Sequence, residues 1–380
     1  MSKILFYFSD HGANAVRQSE NLYGGVGYYR VVKVAEQVKG HDVTVWGTQL
    51  TKKGESKAER WERIFKEYDI FWSSYFSDGE EASALFYTRD KLNREGKNKK
   101  VVLDVDDNFL DILESHPLYD KIKSGKKDRA FMSTILSFAD VITVSTEPLK
   151  LRFAKHFRDV YKIEKEIVVI PNMNDIKDWN FTVPKKKNKI IIGYAGSNSH
   201  QDDLKMFIPN LLEVMKKHKN VYFECIGSIT KDMLHLFKDF PSHEMNRCDI
   251  GGGTHTFKEY PEYIASRGWD IGVAPLDDNA FTRCKSHIKF MEYAALHIPV
   301  IASMVHPYCI AISDRYVIEQ DKTGLLVKPS EWEEALETLI TNAEKRKELA
   351  ENAHKHITDN WQYDDGLVSE RIAEVLSKLK

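Results

Sequence analysis

The chain has 380 residues, 42% of them hydrophobic, and its 55 lysines and arginines against 57 aspartates and glutamates give a formal net charge of −2. That length exceeds what one core usually serves, so two domains are expected. The 29 basic and 28 acidic residues before Val183 leave 26 and 29 from there on, so neither half is the polycation that obligatory nucleic-acid or anionic-membrane binding usually shows.

The amino-terminal half opens on a strand, Lys3 to Phe8, whose apolar run Ile4 to Phe8 is too short for a membrane span, and no later window approaches that length. A soluble, cytoplasmic protein is expected. Tyr23 to Arg30 forms a glycine-rich loop entering a helix, and His41 to Trp46 a second strand. Gly25 and Gly27 fit the first two positions of a dinucleotide fingerprint, but Arg30 occupies the third and no acidic residue ends the second strand. Lys100 to Asn108 carries three carboxylates, Asp104, Asp106 and Asp107, at the end of a buried strand. Basic runs at Lys97 to Lys100, Lys121 to Arg129 and Lys185 to Lys187 read as solvated loops.

A domain boundary is expected between Ile170 and Lys189, where Pro171-Asn172 makes a turn and Pro184 with three lysines an exposed linker. Beyond it, Lys189 to Tyr194 is a buried strand running into the small-residue loop Ala195 to Ser199, followed by a helix over Asp202 to Lys217. Asn220 to Gly227 and Trp269 to Leu276 are further strands. Strands alternating with helices imply a parallel sheet with its ligand at the carboxyl edge.

Arg283 to Ser303 is the most informative segment. Its front is basic and polar, its middle has helical spacing, and Pro299 to Ala302 reads as a short buried strand. Cations are therefore gathered at the start of a helix against a sheet, where a diphosphate is favoured by unpaired N–H groups, with Arg283, Lys285 and a Ser286 cap as reinforcement. Lys285, Lys289 and Glu292 share one helical face, while Ile288, Met291 and Ala295 can face the core. The carboxylate of Glu292 is placed to accept both hydroxyls of a ribose.

This segment resembles the donor-binding motif of retaining nucleotide-sugar glycosyltransferases of the GT-B fold, family four in particular. In that family two glutamates with seven residues between them flank the helix start. Glu292 matches the second, and Cys284 stands where the first would be, so the identity of the transferred sugar does not carry over. The chain follows a branch with a Lys-Ser-x-Ile-Lys pattern. The resemblance implies an α/β protein of two Rossmann-like, doubly wound domains facing a cleft: residues 1–180 on the acceptor side, residues 181–360 binding the nucleotide sugar, and a helix in 361–380 crossing back to the first domain, anchored by Trp361 and Tyr363. It further implies a hexosyl- or pentosyltransferase that uses a UDP or GDP sugar, retains anomeric configuration and needs no metal.

The donor contacts implied are Gly196, Ser197, Asn198, Arg283, Lys285, Ser286, Lys289 and Glu292, with base selection near Gly251 to Phe257. The family often has an arginine and a lysine after the first strand of this domain; Ser197 to Asp203 offers neither, so Arg283, Lys285 and Lys289 are expected to grip the diphosphate. Asp104-Val-Asp106 also matches the metal motif of the other large glycosyltransferase fold. The stronger donor signals lie far downstream, so these carboxylates are read as acceptor-side, with Asp106 or Asp107 orienting or deprotonating the acceptor hydroxyl and Lys285 assisting catalysis. Gly25, Gly27 and Arg30 are expected to line the cleft or meet the acceptor.

The acceptor expected is a glycan, a lipid-linked saccharide or a small molecule. Transfer to a hydroxylated base in DNA, as phages perform, and an epimerase-like or purely sugar-nucleotide-binding protein are the alternatives. Cys225, Cys248, Cys284 and Cys309 are widely spaced, which argues against a disulfide frame or zinc site. His200, His287, His297 and His306 lie near the expected cleft, and none is assigned as a base. After a strand near Leu325 to Val327, the tail is helical over 330–343, 343–357 and 366–379.

Overall fold

The strands bury side chains on both faces, as a parallel sheet covered by helices requires. In β1 (Lys3–Tyr7), Ile4 and Phe6 enter one apolar cluster and Leu5 another on the opposite face. The computed structural model of the chain describes residues 1–8, 24–46, 52–74, 78–116, 119–120, 129–185, 188–227, 231–241, 244–245, 248–251 and 256–380. The start of the glycine-rich stretch before Gly24, most of the lysine run from 121, Lys186 and Lys187, and residues 252–255 of the segment expected to select the base lie outside them.

The first sheet contains β1, β2 (Asp42–Trp46), β3 (Ile70–Ser74), β4 (Lys100–Val105), β5 (Val141–Val144) and β6 (Ile167–Val169), in the parallel order β2-β1-β3-β4-β5-β6. A π-helical turn, Gly27–Val32, leads into α1 (Lys33–Glu36). α2 (Lys57–Glu67), α3 (Gly79–Arg94), α4 (Arg129–Phe138) and α5 (Glu147–His156) complete this lobe. Their starts are chemically marked: Ser56 and Glu59 form a reciprocal capping box on α2, and Asp78 caps α3.

The second sheet contains β7 (Ile190–Ala195), β8 (Val221–Ile226), β9 (Cys248–Gly251), β10 (Ile271–Ala274), β11 (Val300–Ser303) and β14 (Leu325–Val327), with the two-residue strands β12 (Ala311–Ile312) and β13 (Arg315–Tyr316) paired apart from it. Its parallel order, β14-β11-β10-β7-β8-β9, is that of a doubly wound nucleotide-binding sheet. The order reverses between β7 and β10, which pair through Ile192 with Ile271 and Gly193 with Gly272. Ligands of such sheets sit beyond the carboxyl ends of the strands at that reversal. The helices are α6 (Gln201–Lys217), α7 (Tyr260–Arg267), α8 (Ile288–Ala295), α9 (Trp332–Thr341), α10 (Ala343–Asn360) and α11 (Leu367–Lys378).

One apolar cluster runs through both lobes, carrying Tyr28, Tyr29 and Trp179 together with Phe257, Met291 and Trp361. The Tyr28 ring stacks on Phe257 at 3.6 Å between centroids. The chain crosses back after α10: Asn174 donates its backbone N–H to Trp361 O at 2.7 Å, and Tyr363 returns a bond to Asn174 O at 2.9 Å. The Tyr363 hydroxyl donates to Tyr29 O, and Ser369 on α11 reaches Gln37 O, so the last helix rests on the first lobe. No helix among the described residues is long and apolar enough to cross a membrane.

Candidate functional site

The loop ahead of α8 meets the first lobe at several points. Asn108 donates to Ala280 O at 3.1 Å, Thr146 donates to Cys284 O at 2.8 Å, and Asn172 donates to the Ser286 hydroxyl at 2.9 Å. Thr146 also caps α5, accepting from the Leu149 N–H, so a helix start of one lobe is tied to the loop of the other. Ser286 does not cap the cationic helix, contrary to expectation. α8 begins after His287, whose side chain makes no capping bond, and the Ser286 hydroxyl faces Asn172.

Of the two lysines, Lys285 reaches the first lobe and Lys289 turns to the loop after β7. Lys285, 13% exposed in its side chain, places Nζ 3.3 Å from Asp107 of the first lobe and 4.6 Å from the Phe281 ring. Lys289 has Nζ 3.5 Å from His200 Nε2 and 5.2 Å from the Tyr194 ring centroid. Burial pulls the Lys289 ammonium down to about 8. Arg283 does not join them: its guanidinium turns outward to a two-pronged pair with Asp278 at 2.6 and 2.9 Å, and 58% of its side chain is exposed. Of the three cations expected to act together, Arg283 is turned away from the other two.

Glu292, 6% exposed, lies one helical turn beyond Lys289. Its carboxylate accepts from Tyr29 of the first lobe at 3.1 Å and from Tyr260 at 3.2 Å. Burial pushes its pKa up to about 7, against the lowering effects of Lys289 and the two phenols. Cys284, at the position of the absent glutamate, is buried, accepts from Asn108 and donates to Ala280 O, and burial raises its thiol to about 11. It is a packed, un-ionised thiol facing the lobe junction.

On the first lobe, Asp106 is pushed up to about 7, chiefly by burial and then by Asp107 and Asp104. Asp107, directly beside it, carries the contact to Lys285. Arg30, expected to meet an acceptor or phosphate, is 1% exposed and directs its guanidinium inward. It pairs with Asp104 at 3.0 and 2.7 Å, and donates to Ile170 O at 2.5 Å and Asn172 at 2.9 Å. The reason is period: Asp104 points to the face of β4 opposite Leu103 and Val105, under the Gly27–Val32 turn. Gly27 is buried in that turn, and Gly25 precedes it with open space around its α-carbon.

The loop after β7 approaches from the switch point. Gly196 donates its N–H to Ile226 O at 3.0 Å, and the Ser197 hydroxyl lies 2.7 Å from that of Ser199. A Cβ on Gly227 would stand 2.6 Å from Gly196 O, so the glycine lets these two loops touch. Asn198 lies in this loop, with its side chain outside the described set. His200 and Asp203 follow, with His200 Nδ1 2.7 Å from Asp203 Oδ2. Sequence reasoning places His200 near the cleft without a role and passes over Asp203, Tyr29 and Tyr260. The first two carry a local signal, a histidine and an aspartate three apart at the start of a helix after a glycine loop; Tyr29 and Tyr260 have none, since only the fold brings them to Glu292.

The arrangement offers two ammonium groups near a helix start, carboxylates on either side, and a second lobe close enough to supply another reactant. Among the described residues no group of three or more histidine, cysteine, aspartate or glutamate side chains could hold a metal ion.

No protein-family model matches the chain, and no curated protein matches it. Solved structures do. A glycosyltransferase from Rickettsia africae superposes with a TM-score of 0.60 at 18% identity, covering 100% of this chain and 98% of that one. HepE from Anabaena, solved with UDP and glucose, gives 0.58 at 14%, covering 99% and 100%. TarM from S. aureus, solved with fondaparinux, α-GlcNAc-glycerol and UDP, gives 0.58 at 17%, covering 85% of this chain; the chain spans 58% of the TarM length. Identities this low establish the fold: two facing Rossmann-like lobes, the GT-B architecture that the resemblance implied.

Proposed function

We propose that the chain transfers a sugar from a nucleoside-diphosphate sugar to an acceptor hydroxyl. The observation that carries this reading is the position of Lys285 and Lys289 about the start of α8, next to the switch point of the second sheet, with Lys285 facing Asp107 of the first lobe. Residues 181–360 are read as the donor domain, 1–180 as the acceptor domain and 361–380 as the returning segment. The solved neighbours that carry UDP make a UDP sugar the first donor to test, with a GDP sugar second.

In this reading the diphosphate lies over the start of α8. Negative charge grows on it as the glycosidic bond lengthens, so fixed ammonium groups stabilise the transition state more than the bound donor. Lys285 and Lys289 supply that charge without a metal. Glu292 takes the ribose hydroxyls, exchanging its bonds from Tyr29 and Tyr260 for them or sharing with them. Gly196, Ser197 and Asn198 line the donor loop. Asp106 and Asp107 orient the acceptor hydroxyl, and the raised pKa of Asp106 suits a group that accepts a proton near neutrality. Attack from the side that the diphosphate leaves gives retention of configuration. The acceptor class is a glycan, a lipid-linked saccharide or a small molecule.

Calorimetry with UDP and GDP, followed by incubation with radiolabelled UDP and GDP sugars and a panel of oligosaccharide acceptors, tests the reading. Binding of one nucleotide and label appearing in an acceptor are expected. Absence of binding by both nucleotides would remove the donor site.

A further inference from the structure

We propose that His200 and Asp203 form a positioning pair that aims the Lys289 ammonium at the donor diphosphate, serving where the loop after β7 lacks a cation of its own. This rests on the donor site proposed above. The loop from Gly196 to Asp203 contains neither lysine nor arginine. What it contains is a histidine and a carboxylate that are 8% and 3% exposed.

Asp203 uses its two oxygens on different loops. Oδ2 lies 2.7 Å from His200 Nδ1, while Oδ1 accepts the backbone N–H of Asp277, just after β10, at 2.7 Å. One side chain therefore ties together the two loops at the sheet's switch point. A carboxylate at Nδ1 holds the imidazole proton there and leaves a lone pair on Nε2. That lone pair faces Lys289 Nζ at 3.5 Å. The imidazole stays neutral, since burial, Lys289, Lys285 and His116 all oppose its protonation.

The chemistry explains why a histidine suits this place. A carboxylate against Lys289 would orient the ammonium but cancel its charge. A neutral lone pair orients it and leaves the charge for a phosphate. The Tyr194 ring on another side of Lys289 adds attraction without neutralising it. Replacing Asp203 by asparagine has a defined consequence: its one carbonyl oxygen is needed by the Asp277 N–H, so its amide turns an N–H toward Nδ1. The imidazole proton then moves to Nε2 and points at the ammonium.

The test uses the full chain at about pH 7.5, between the values of about 7 and about 8 to which burial moves the Asp203 acid and the Lys289 ammonium. Long-range proton–nitrogen spectra of histidine-labelled protein should show His200 protonated on Nδ1, and on Nε2 in Asp203→Asn. Calorimetry with UDP, or GDP if that nucleotide binds tighter, should show about tenfold weaker binding for His200→Phe, the loss expected of one hydrogen bond to a charged group. His200→Gln, whose amide can donate to Asp203 and accept from Lys289, should stay within about threefold of the parent. Lys289→Met should lose affinity as well, and the Phe and Met changes combined should lose no more than Lys289→Met alone, because the histidine acts through the lysine.

Parent-like binding by His200→Phe, additive losses, or an Nε2-protonated imidazole in the parent protein would each overturn the pairing while leaving the donor site standing. Absence of binding of either nucleotide to the parent protein overturns the donor site and the pairing together. Should His200→Phe not fold, the tautomer spectra and His200→Gln decide the question.

Discussion

Tyr29 of the first lobe donates its phenol hydrogen to Glu292 of the second at 3.1 Å, closing the groove over the residue assigned to the donor ribose. A nucleotide entering there meets an acceptor already oriented by Tyr29 and Tyr260. Glu292→Gln is therefore expected to weaken nucleotide binding by roughly 1.5 to 3 kcal/mol, the worth of a hydrogen bond to a charged group, with the fold intact. Calorimetry with UDP and GDP measures it, and unchanged affinity would take Glu292 out of the site.

Lys285 differs from Glu292 in when it acts. Its ammonium faces Asp107 of the first lobe, and in the proposed reaction it answers charge that develops on the leaving diphosphate. Lys285→Ala is expected to lower kcat by more than it raises the donor KM, by about tenfold or more in kcat. Steady-state kinetics with saturating acceptor separates the two. A raised KM with unaltered kcat contradicts the assignment.

The pH dependence follows from two buried groups with opposite needs. In the proposed donor site, nucleotide binding uses Glu292 as a carboxylate, which burial holds off until about pH 7, and Lys289 as an ammonium, which burial releases near pH 8. Affinity should peak between those values and fall on both sides. The sign for stability is separate. Glu292 is raised from the ordinary 4.5, so the folded state holds the extra proton between 4.5 and 7 and stability drops as pH rises through that window. Lys289 is lowered from 10.5, so the unfolded state holds the extra proton between 8 and 10.5 and stability rises with pH there. Asp106 and Asp203, both raised by burial from 3.8 to about 7, act in the same direction over that window, so Glu292→Gln should lessen its slope in melting curves without abolishing it; an unchanged slope there contradicts the share assigned to Glu292.

Much of the fold is legible in the sequence because its signals are local. Lys189 to Tyr194 reads as a buried strand by its apolar run and Asp202 to Lys217 as a helix by period, and the structure has the strand at Ile190–Ala195 and the helix at Gln201–Lys217. The lysine pair ahead of Glu292 is legible for the same reason, its members being four residues apart. What escapes depends on contacts distant in sequence. Arg30 looks like a ligand-facing cation until β4 brings Asp104 beneath it, and Ser286 looks like a helix cap until Asn172 arrives from the other lobe. Arg283 sits in the same basic cluster as Lys285, yet the short turn Thr282–Cys284 sends it the other way, to Asp278.

Packing at the second sheet yields a stability prediction independent of any ligand. A Cβ on Gly193 of β7 would fall 1.8 Å from the Trp269 ring. That ring is held, because its indole N–H donates to Glu224 at 2.8 Å and its face meets Tyr293 edge-on. Gly193→Ala should cost about 1 to 3 kcal/mol or more through overpacking, read as a lower urea midpoint. A midpoint equal to the parent's would mean that the indole can shift without losing Glu224.

Arg30 gives the sharpest separation of a structural from a ligand-binding role. Its guanidinium is enclosed by Asp104, Ile170 O and Asn172, and Asn172 in turn holds the Ser286 hydroxyl. Removing one member of a buried ion pair leaves the other charge unpaired and costs about 3 to 5 kcal/mol. Arg30→Met should therefore lower stability by that amount, and Arg30→Met with Asp104→Leu should recover a large part of it, since the uncompensated carboxylate is gone. Urea melts of the single and double variants measure both. A single variant as stable as the parent would mean that the guanidinium contributes nothing to the lobe, and would reopen Arg30 as a residue that faces the acceptor.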